Sequence, residues 1–168
     1  MTAPIADLDN VVIAVPGLQL EVLVTDPRWS DLAMSSVIEP MLAAVVAEFE
    51  DPLGSACLAL SNDDHVHQLN KQFRGMDKAT NVLSFPDGEQ SRLGDLILAY
   101  ETCVHEAQRD DKALQDHYLH LIVHGLLHLL GFDHTTSEEA EEMEALERDV
   151  LASLGIPDPY DDETFELG

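Results

Sequence analysis

Three histidines in one short run constrain this chain more than any other feature. They lie in the segment His124-Gly-Leu-Leu-His128-Leu-Leu-Gly131-Phe-Asp-His134, with the spacing H-x3-H-x5-H. On a helix, residues four apart lie about 40° apart around the axis and about 6 Å apart along it, so His124 and His128 share one face. Gly131 suits a helix end because glycine tolerates the left-handed conformation of a C-terminal cap. A turn there would return His134 to the same point, and three neutral imidazoles with one open position are the usual ligands of catalytic zinc.

The spacing matches the metzincin metalloprotease motif H-E-x-x-H-x-x-G-x-x-H with one departure. Position 125 is glycine, where those proteases carry the glutamate that acts as general base. The metal ligands are therefore present and the protease base is absent. A structural metal is the alternative, although structural zinc usually has a fourth protein ligand and often cysteine. Cys57 and Cys103 are both distant from the motif in sequence, so only the fold could bring one of them close.

Length and composition indicate one domain in a reducing compartment. A chain of 168 residues is long enough to bury a sizeable core. We place a single hydrolase domain at residues 1–157 and an acidic tail, predicted to be disordered, at residues 158–168. There is no membrane-length apolar stretch, no N-terminal secretory signal and no disulfide framework. We therefore expect a cytoplasmic protein without membrane contact.

The net charge of −25 argues against nonspecific binding to nucleic acid. The basic residues are concentrated, because residues 71–112 hold six of the eight together with eight acids and net −2. The rest of the chain nets −23. Most of the surface would therefore repel a polyanionic substrate, which would be tolerated only near residues 71–112.

Hydrophobic periodicity and turn signals predict alternating strands and helices. The predicted strands cover 18–24, 56–60, 81–85 and 94–100. The predicted helices cover 29–49, with Pro40 as a kink or break, then 63–73, 101–110, 114–130 and about 136–154. Asn62 or Asp63 can cap the helix over 63–73, and a capping box of Thr136 and Glu139 opens the last helix. The fold class is therefore an α+β domain, with a small four-stranded mixed sheet packed with about five helices, one of them a zincin-like metal-binding helix.

A second polar segment lies at residues 69–86, around the start of a predicted strand. Arg74 offers a guanidinium fork that suits a phosphate. Hydroxyl and amide groups that would face a cleft come from Thr80, Asn81 and Ser84. The alternative is turn chemistry with a surface ion pair of Arg74 with Asp77, and the residues alone leave both interpretations open.

Together the two segments resemble the YbeY family, the bacterial rRNA maturation endoribonucleases. The matching elements are Leu69-Asn70, Phe73-Arg74-Gly75, Asp77-Lys78, Thr80 to Pro86, Leu93-Gly94-Asp95-Leu96, and His124 to His134. They follow one another in the family's order and cover roughly residues 20–155. Two departures are Phe132, where the family commonly has tyrosine, and Ala79, where proline is frequent.

The resemblance implies a metal-dependent endoribonuclease specific for single strands. It would act in the cytoplasm, in maturation of the 16S rRNA 3′ end and in ribosome quality control. His124, His128 and His134 carry over as ligands of one metal ion, expected to be zinc, and Arg74 carries over as the basic residue facing the cleft. Asp95 and Asp133 are candidates for a general acid or base, or for partners that orient a histidine. The sequence does not choose between these roles.

Two alternatives come from other classes of protein. The first is a metal-dependent peptidase-like hydrolase, which would need a general base from outside the motif. The second is a non-enzymatic ribosome assembly factor with a structural metal. The expected partners are rRNA and the small ribosomal subunit, and a basic ribosomal protein is a further candidate because the chain is so acidic. The sequence leaves the oligomeric state open.

Overall fold

A mixed five-stranded sheet forms the centre of the computed structural model, which describes residues 10–31, 34–87, 89 and 91–160. The strands are β1 (Asn10–Val15), β2 (Leu18–Val24), β3 (Gly54–Ser61), β4 (Val82–Pro86) and β5 (Arg92–Ala99). Their order across the sheet is β1-β2-β3-β5-β4. The pairs β2/β3 and β3/β5 are parallel, whereas β1/β2 and β4/β5 are antiparallel. This arrangement makes β4 an edge strand.

Five α-helices pack with this sheet in the described part of the chain, as predicted in number. They are α1 (Met34–Val46), α2 (Asp63–Arg74), α3 (Tyr100–Arg109), α4 (Leu114–Leu129) and α5 (Ser137–Ser153). A short 3-10 helix, Pro27–Asp31, precedes α1. The zincin-like character predicted for α4 stays a prediction.

The prediction of four strands was wrong, because β1 adds a fifth. The sequence of β1 shows no clear alternation of apolar and polar residues. The strand lies at an edge of the sheet, where Val11 and Val12 are exposed and Ile13 is buried. An edge strand that buries so little carries a weak pattern, and only its pairing with β2 identifies it.

The predicted helix over 29–49 begins too early. Trp29 lies in the 3-10 helix, where its indole N–H donates to the carbonyl of Ser61 at 2.7 Å and its ring is fully buried. That contact ties the segment to the end of β3. Pro40 lies inside α1 and does not end it.

The predicted caps of two helices are confirmed. The side chain of Asn62 accepts the backbone N–H of His65 and so caps α2. The hydroxyl of Thr136 accepts the N–H of Glu139 at the start of α5. Both caps satisfy N–H groups that the first turn of a helix leaves without partners.

Helix α4 lies in the interior, and its residues from 117 to 127 are all buried. Gly125 permits this close approach to the sheet. A Cβ at position 125 would lie 2.6 Å from Cδ2 of Leu96, a fully buried residue of β5. A helix that is buried on every face lies in the core of a domain. The histidines of α4 therefore project from an interior helix.

The start of the predicted acidic tail contacts the domain. Pro159 is buried, and the hydroxyl of Tyr160 donates to Glu147 at 2.6 Å. Residues 161–168 of that tail lie outside the described residues. Among the described residues, no helix is both long enough and apolar enough to span a membrane.

A candidate metal centre and its cleft

The three histidines of the motif converge on one point. His124 and His128 project from α4, and His134 returns to them after the turn at Gly131, where φ is 103°. One ring nitrogen from each lies within 4.8 Å of the others. The Nε2 atoms of His124 and His128 are 3.0 Å apart. His124 is buried and His134 is exposed, so the cluster sits at the edge of the interior.

Backbone geometry orients the ring of His128. Its Nδ1 lies 3.0 Å from the carbonyl oxygen of Phe132. A carbonyl only accepts, so Nδ1 carries the proton and Nε2 presents a lone pair. Burial, followed by the proximity of His124, lowers the pKa of His128 and favours this neutral form.

A buried carboxylate orients the ring of His124 in the same way. Its Nδ1 lies 3.0 Å from Oε1 of Glu147, so the carboxylate accepts that proton and Nε2 is left with a lone pair. The Nε2 lone pairs of His124 and His128 therefore face each other at 3.0 Å. Two such lone pairs repel unless a cation lies between them, which makes this donor set a fit for a metal ion.

Glu147 is the functional residue that sequence reasoning missed. It is fully buried, and its second oxygen accepts from Nε2 of His120 and from the hydroxyl of Tyr160, both at 2.6 Å. Burial alone would raise the pKa of this carboxyl, but the hydrogen bonds from His120 and His124 outweigh burial and lower the pKa to about 2. The available signal was its place on the apolar stripe of α5, four residues after Met143 and three before Val150.

Cysteine does not complete the cluster, which within the described residues consists of the three histidines alone. Burial raises the pKa of the Cys103 thiol well above its usual value, and it also raises that of Cys57. Both therefore favour the thiol, whereas a metal needs the thiolate. Three nitrogen donors without a protein fourth leave a position open for a reactant.

The cluster opens into a cleft of about 430 Å³. Its lining residues are Arg74, Val82, Ser84, Pro86, His124, His128, Gly131, Phe132, Asp133 and His134. Arg74 at the end of α2 and the edge strand β4 thus face the histidines across one space. The structure thus brings the three predicted metal ligands and Arg74 into one cleft.

Arg74 is held in place inside this cleft. Its Nη2 donates to the carbonyl of Ser84 at 2.6 Å, and its guanidinium lies over the ring of Phe85 at 5.5 Å. Within the described residues, no carboxylate pairs with it, since Asp77 contacts His67 instead. The alternative of an Arg74–Asp77 ion pair is therefore wrong, and most N–H donors of the guanidinium remain available for an anion.

Asn81 does not present its amide to the cleft, contrary to expectation. It is buried, accepts the N–H of Val82 and donates to Glu106. These bonds fix the start of β4. Of the other two polar residues, Ser84 lines the cleft and Thr80 does not.

The two candidate carboxylates lie in different places. Asp133 lines the cleft, and its Oδ1 accepts the N–H of His134 at 2.7 Å. Asp95 pairs with Arg92 at 2.8 Å. Successive side chains of a strand point to opposite faces, and Leu96 faces α4, so Asp95 points away from the histidines. Asp95 is therefore excluded as an orienting partner, and Glu147 holds that position.

A glutamate at position 125 would have to displace the buried side chain of Leu96. The Cβ of any other residue would meet Leu96 at 2.6 Å, inside the packed layer between α4 and β5. The absence of a base at this position is thus tied to how closely the helix approaches the sheet.

Comparisons with known proteins match most of the chain to one family. A family model described as Endoribonuclease YbeY matches residues 25–155. The Endoribonuclease YbeY of Maricaulis maris is 47% identical over 148 residues, covering 86% of this chain and 92% of that protein. The protein of the same description from Bartonella henselae is 42% identical over 153 residues, covering 85% and 97%.

One solved structure shares the fold. A solution structure from Thermotoga maritima superposes with a TM-score of 0.58 at 24% identity, covering 86% of this chain and 95% of that one. At this level of identity the likeness concerns the fold alone.

Proposed function

This chain belongs to the YbeY endoribonuclease family, and we propose that it is a metal-dependent endoribonuclease that cuts single-stranded RNA. The substrate we propose is precursor 16S rRNA at its 3′ end, with a second role in ribosome quality control, both in the cytoplasm. The observation that carries the proposal is the cleft that joins three inward-facing imidazoles to a positioned guanidinium. A site with a cation-binding set and an arginine fork suits a phosphodiester.

The metal we propose is a single zinc ion held by His124, His128 and His134. Imidazole nitrogen is a donor that suits zinc, and three such donors with an open position are typical of its catalytic sites. When bound, the metal supplies a Lewis acid that polarises a phosphoryl oxygen and lowers the pKa of water in the cleft.

The chain's own residues position the phosphate and its protons. Arg74 binds the nonbridging oxygens and stabilises the negative charge that develops on them, and its contacts with Ser84 and Phe85 hold it ready for this. Glu147 and the carbonyl of Phe132 fix the orientation of two ligand rings. Asp133 is the carboxylate in the cleft that we propose exchanges a proton with the reacting groups.

Peptide hydrolysis is disfavoured by the same geometry. A leaving amine needs a proton donor beside the metal. In metzincins a glutamate supplies that proton, and the corresponding residue in this chain is Gly125, which packs against Leu96. A phosphodiester with a better leaving group needs that donor less strictly.

The charge of −25 favours a partner in addition to RNA. We propose that a basic ribosomal protein of the small subunit brings this acidic chain to its rRNA, because charge complementarity steers such encounters. The non-enzymatic assembly factor remains the second candidate function. The assembly factor would be favoured if a folded variant without the three histidines still cosediments with small subunits and its cells still mature their rRNA.

The test couples metal analysis to RNA cleavage for His128→Ala. This variant should lose the bound metal, because two imidazoles remain, and should lose cleavage of precursor rRNA with it. The matched control is His105→Ala, which removes an exposed histidine of α3 outside the cluster and should keep both. Undiminished cleavage by verified metal-free His128→Ala would refute the mechanism, and reconstitution with zinc, manganese or magnesium identifies the metal.

A further inference from the structure

A short segment of this acidic chain combines positive charge with exposed apolar side chains. Residues 71–78 read Lys-Gln-Phe-Arg-Gly-Met-Asp-Lys and hold three basic residues and one acid, in a chain of net charge −25. Among the residues that the structure describes, Phe73 and Met76 are two of four large hydrophobic residues that are markedly exposed, at 62% and 45%. We call this segment the 71–78 turn.

Buried contacts hold the 71–78 turn in one conformation. Gly75 ends α2 in the left-handed region, with φ at 68°. The N–H of Met76 donates to the carbonyl of Asn70, and the amide of Asn70 donates to the carbonyl of Lys78 at 2.9 Å. Because the side chain of Asn70 is buried, the exposure of Phe73 is a built feature of the fold.

The single acid of the turn is already engaged. Oδ1 of Asp77 lies 2.5 Å from Nε2 of His67 and 4.0 Å from Nζ of Lys71. Arg74 and Lys78 form no ion pair with a described carboxylate. The turn therefore carries more positive than negative charge beside Phe73, which favours a polyanion there over the acidic remainder of the surface.

The ring of Phe73 lies across the edge strand β4 from the catalytic cleft, in an apolar groove with Leu69 and Phe85. It meets the ring of Phe85 edge to face, with centroids 5.8 Å apart. The guanidinium of Arg74 lies over the same Phe85 ring, and Arg74 lines the cleft. An RNA strand whose phosphate is held by Arg74 would therefore meet the exposed ring of Phe73 where it passes over the edge of β4.

We propose that Phe73 is a stacking platform for an unpaired nucleobase that flanks the phosphate held at Arg74. The proposal rests on the ribonuclease function proposed above and adds a binding subsite to it. Aromatic faces interleaved with basic residues are how proteins hold single-stranded nucleic acid. A base inside a duplex is already stacked and paired, so this subsite accepts single strands and rejects helices.

The test measures steady-state cleavage of a labelled single-stranded RNA by wild type, Phe73→Ala, Phe73→Trp and Met76→Ala. One stacked base is worth roughly 1–3 kcal/mol, so Phe73→Ala should lower kcat/KM by roughly five- to hundredfold, mainly through KM. Phe73→Trp should restore it. Met76→Ala is the matched control, because it removes an exposed apolar side chain of the same turn without removing a ring.

A set of RNAs with one abasic nucleotide each separates stacking from a structural effect. If Phe73 stacks on one base, the penalty of Phe73→Ala disappears for the RNA that lacks that base and persists for the others. An equal penalty on every abasic RNA, or no penalty on the intact RNA, overturns the subsite. The second result would favour a protein segment as the occupant of this apolar surface.

The same experiment keeps the two proposals apart. If wild type cuts RNA and Phe73→Ala cuts it equally well, only the stacking subsite is refuted. Wild type that binds metal and cuts no RNA removes the proposed function and the subsite with it.

Discussion

At the scale of single residues, Glu147 links the metal site to the rest of the molecule. It is a fully buried carboxylate whose hydrogen-bond partners are His120, His124 and Tyr160. No lysine or arginine forms an ion pair with it in the described chain. Buried charges are costly unless they are paired, and a cation bound at Nε2 of His124 would compensate this one through the ring. We therefore expect its negative charge to strengthen cation binding at His124.

Replacing Glu147 with glutamine tests this role. Glu147→Gln keeps the shape, and its amide oxygen can still accept from Nδ1 of His124. The change removes the charge and replaces the oxygen that accepts from His120 and Tyr160 by an amide nitrogen. We expect metal affinity to fall roughly ten- to hundredfold, while the free energy of unfolding of the metal-free protein falls by about 1–3 kcal/mol, because two buried donors lose their acceptor. Competition with a chromophoric chelator measures the first quantity and urea unfolding the second.

The control for this change is Glu141→Gln, an exposed position on the same helix, which should leave both quantities as in wild type. A large loss of metal-free stability in Glu147→Gln, with unchanged metal affinity, would make the carboxylate a structural element.

Arg74 is the second residue with a testable role, because its effect on cleavage can be separated from metal binding. Arg74→Ala should keep the metal, because it contacts none of the histidines, and should lower the cleavage rate on the order of a hundredfold through lost stabilisation of the phosphate charge. Arg74→Lys should recover only part of the rate, since an ammonium lacks the planar fork. Single-turnover kinetics at saturating enzyme measures the change.

An exposed arginine elsewhere provides the comparison. Arg109 pairs with Asp110 outside the cleft, and Arg109→Ala should cleave at the wild-type rate. Normal turnover by Arg74→Ala would remove Arg74 from the site.

At the scale of elements, the turn after α4 determines whether the third histidine reaches the other two. Gly131 has φ of 103°, its N–H donates to the carbonyl of His128, and the N–H of Phe132 donates to the carbonyl of Leu127. These bonds close the helix and reverse the chain. A side chain at Gly131 would meet open space, so only backbone strain opposes it.

Gly131→Ala therefore should lower the stability of the metal-free protein by about 1–2 kcal/mol and also weaken metal binding, because the turn shifts His134. Gly155→Ala is a matched control, with φ of 76° and equally open surroundings far from the cluster. It should cost similar stability and leave metal affinity unchanged. Equal metal affinities in the two variants would show that the turn does not set the position of His134.

At the scale of the whole molecule, charge governs how RNA is reached. The basic residues available near the cleft are few, and the acidic remainder repels phosphates over most of the surface. We expect weak binding to naked single-stranded RNA that falls further with salt. If Lys71, Arg74 and Lys78 make the phosphate contacts, log K against log salt should have a slope of about −2.

Fluorescence anisotropy across a salt series checks this expectation. Lys78→Ala should reduce the slope by about 0.7, while leaving the metal in place. Tight binding that is insensitive to salt would contradict the electrostatic account and would point to a larger contact surface than the cleft and the 71–78 turn.

Much of the local structure followed from local rules. The period of apolar residues located β2 to β5 and four of the five helices closely, and the caps at Asn62 and Thr136 were readable from side-chain chemistry. The edge strand β1 and the start of α1 were not predicted. Both depend on partners distant in sequence: β2 pairing for the one and the Trp29–Ser61 contact for the other.

The sequence by itself predicted the three-histidine cluster, because i, i+4 spacing on a helix and a glycine turn are local geometry, and its motifs identified the family. Only the tertiary structure decided which carboxylate serves the histidines. Strand alternation places Asp95 on the face of the sheet opposite the histidines. Glu147 lies on α5, 23 positions after His124, and forms a buried hydrogen bond with it. Tertiary structure also decided that Arg74 and the histidines share one cleft, since the packing of β4 between α2 and α4 is a contact between elements that no local pattern encodes.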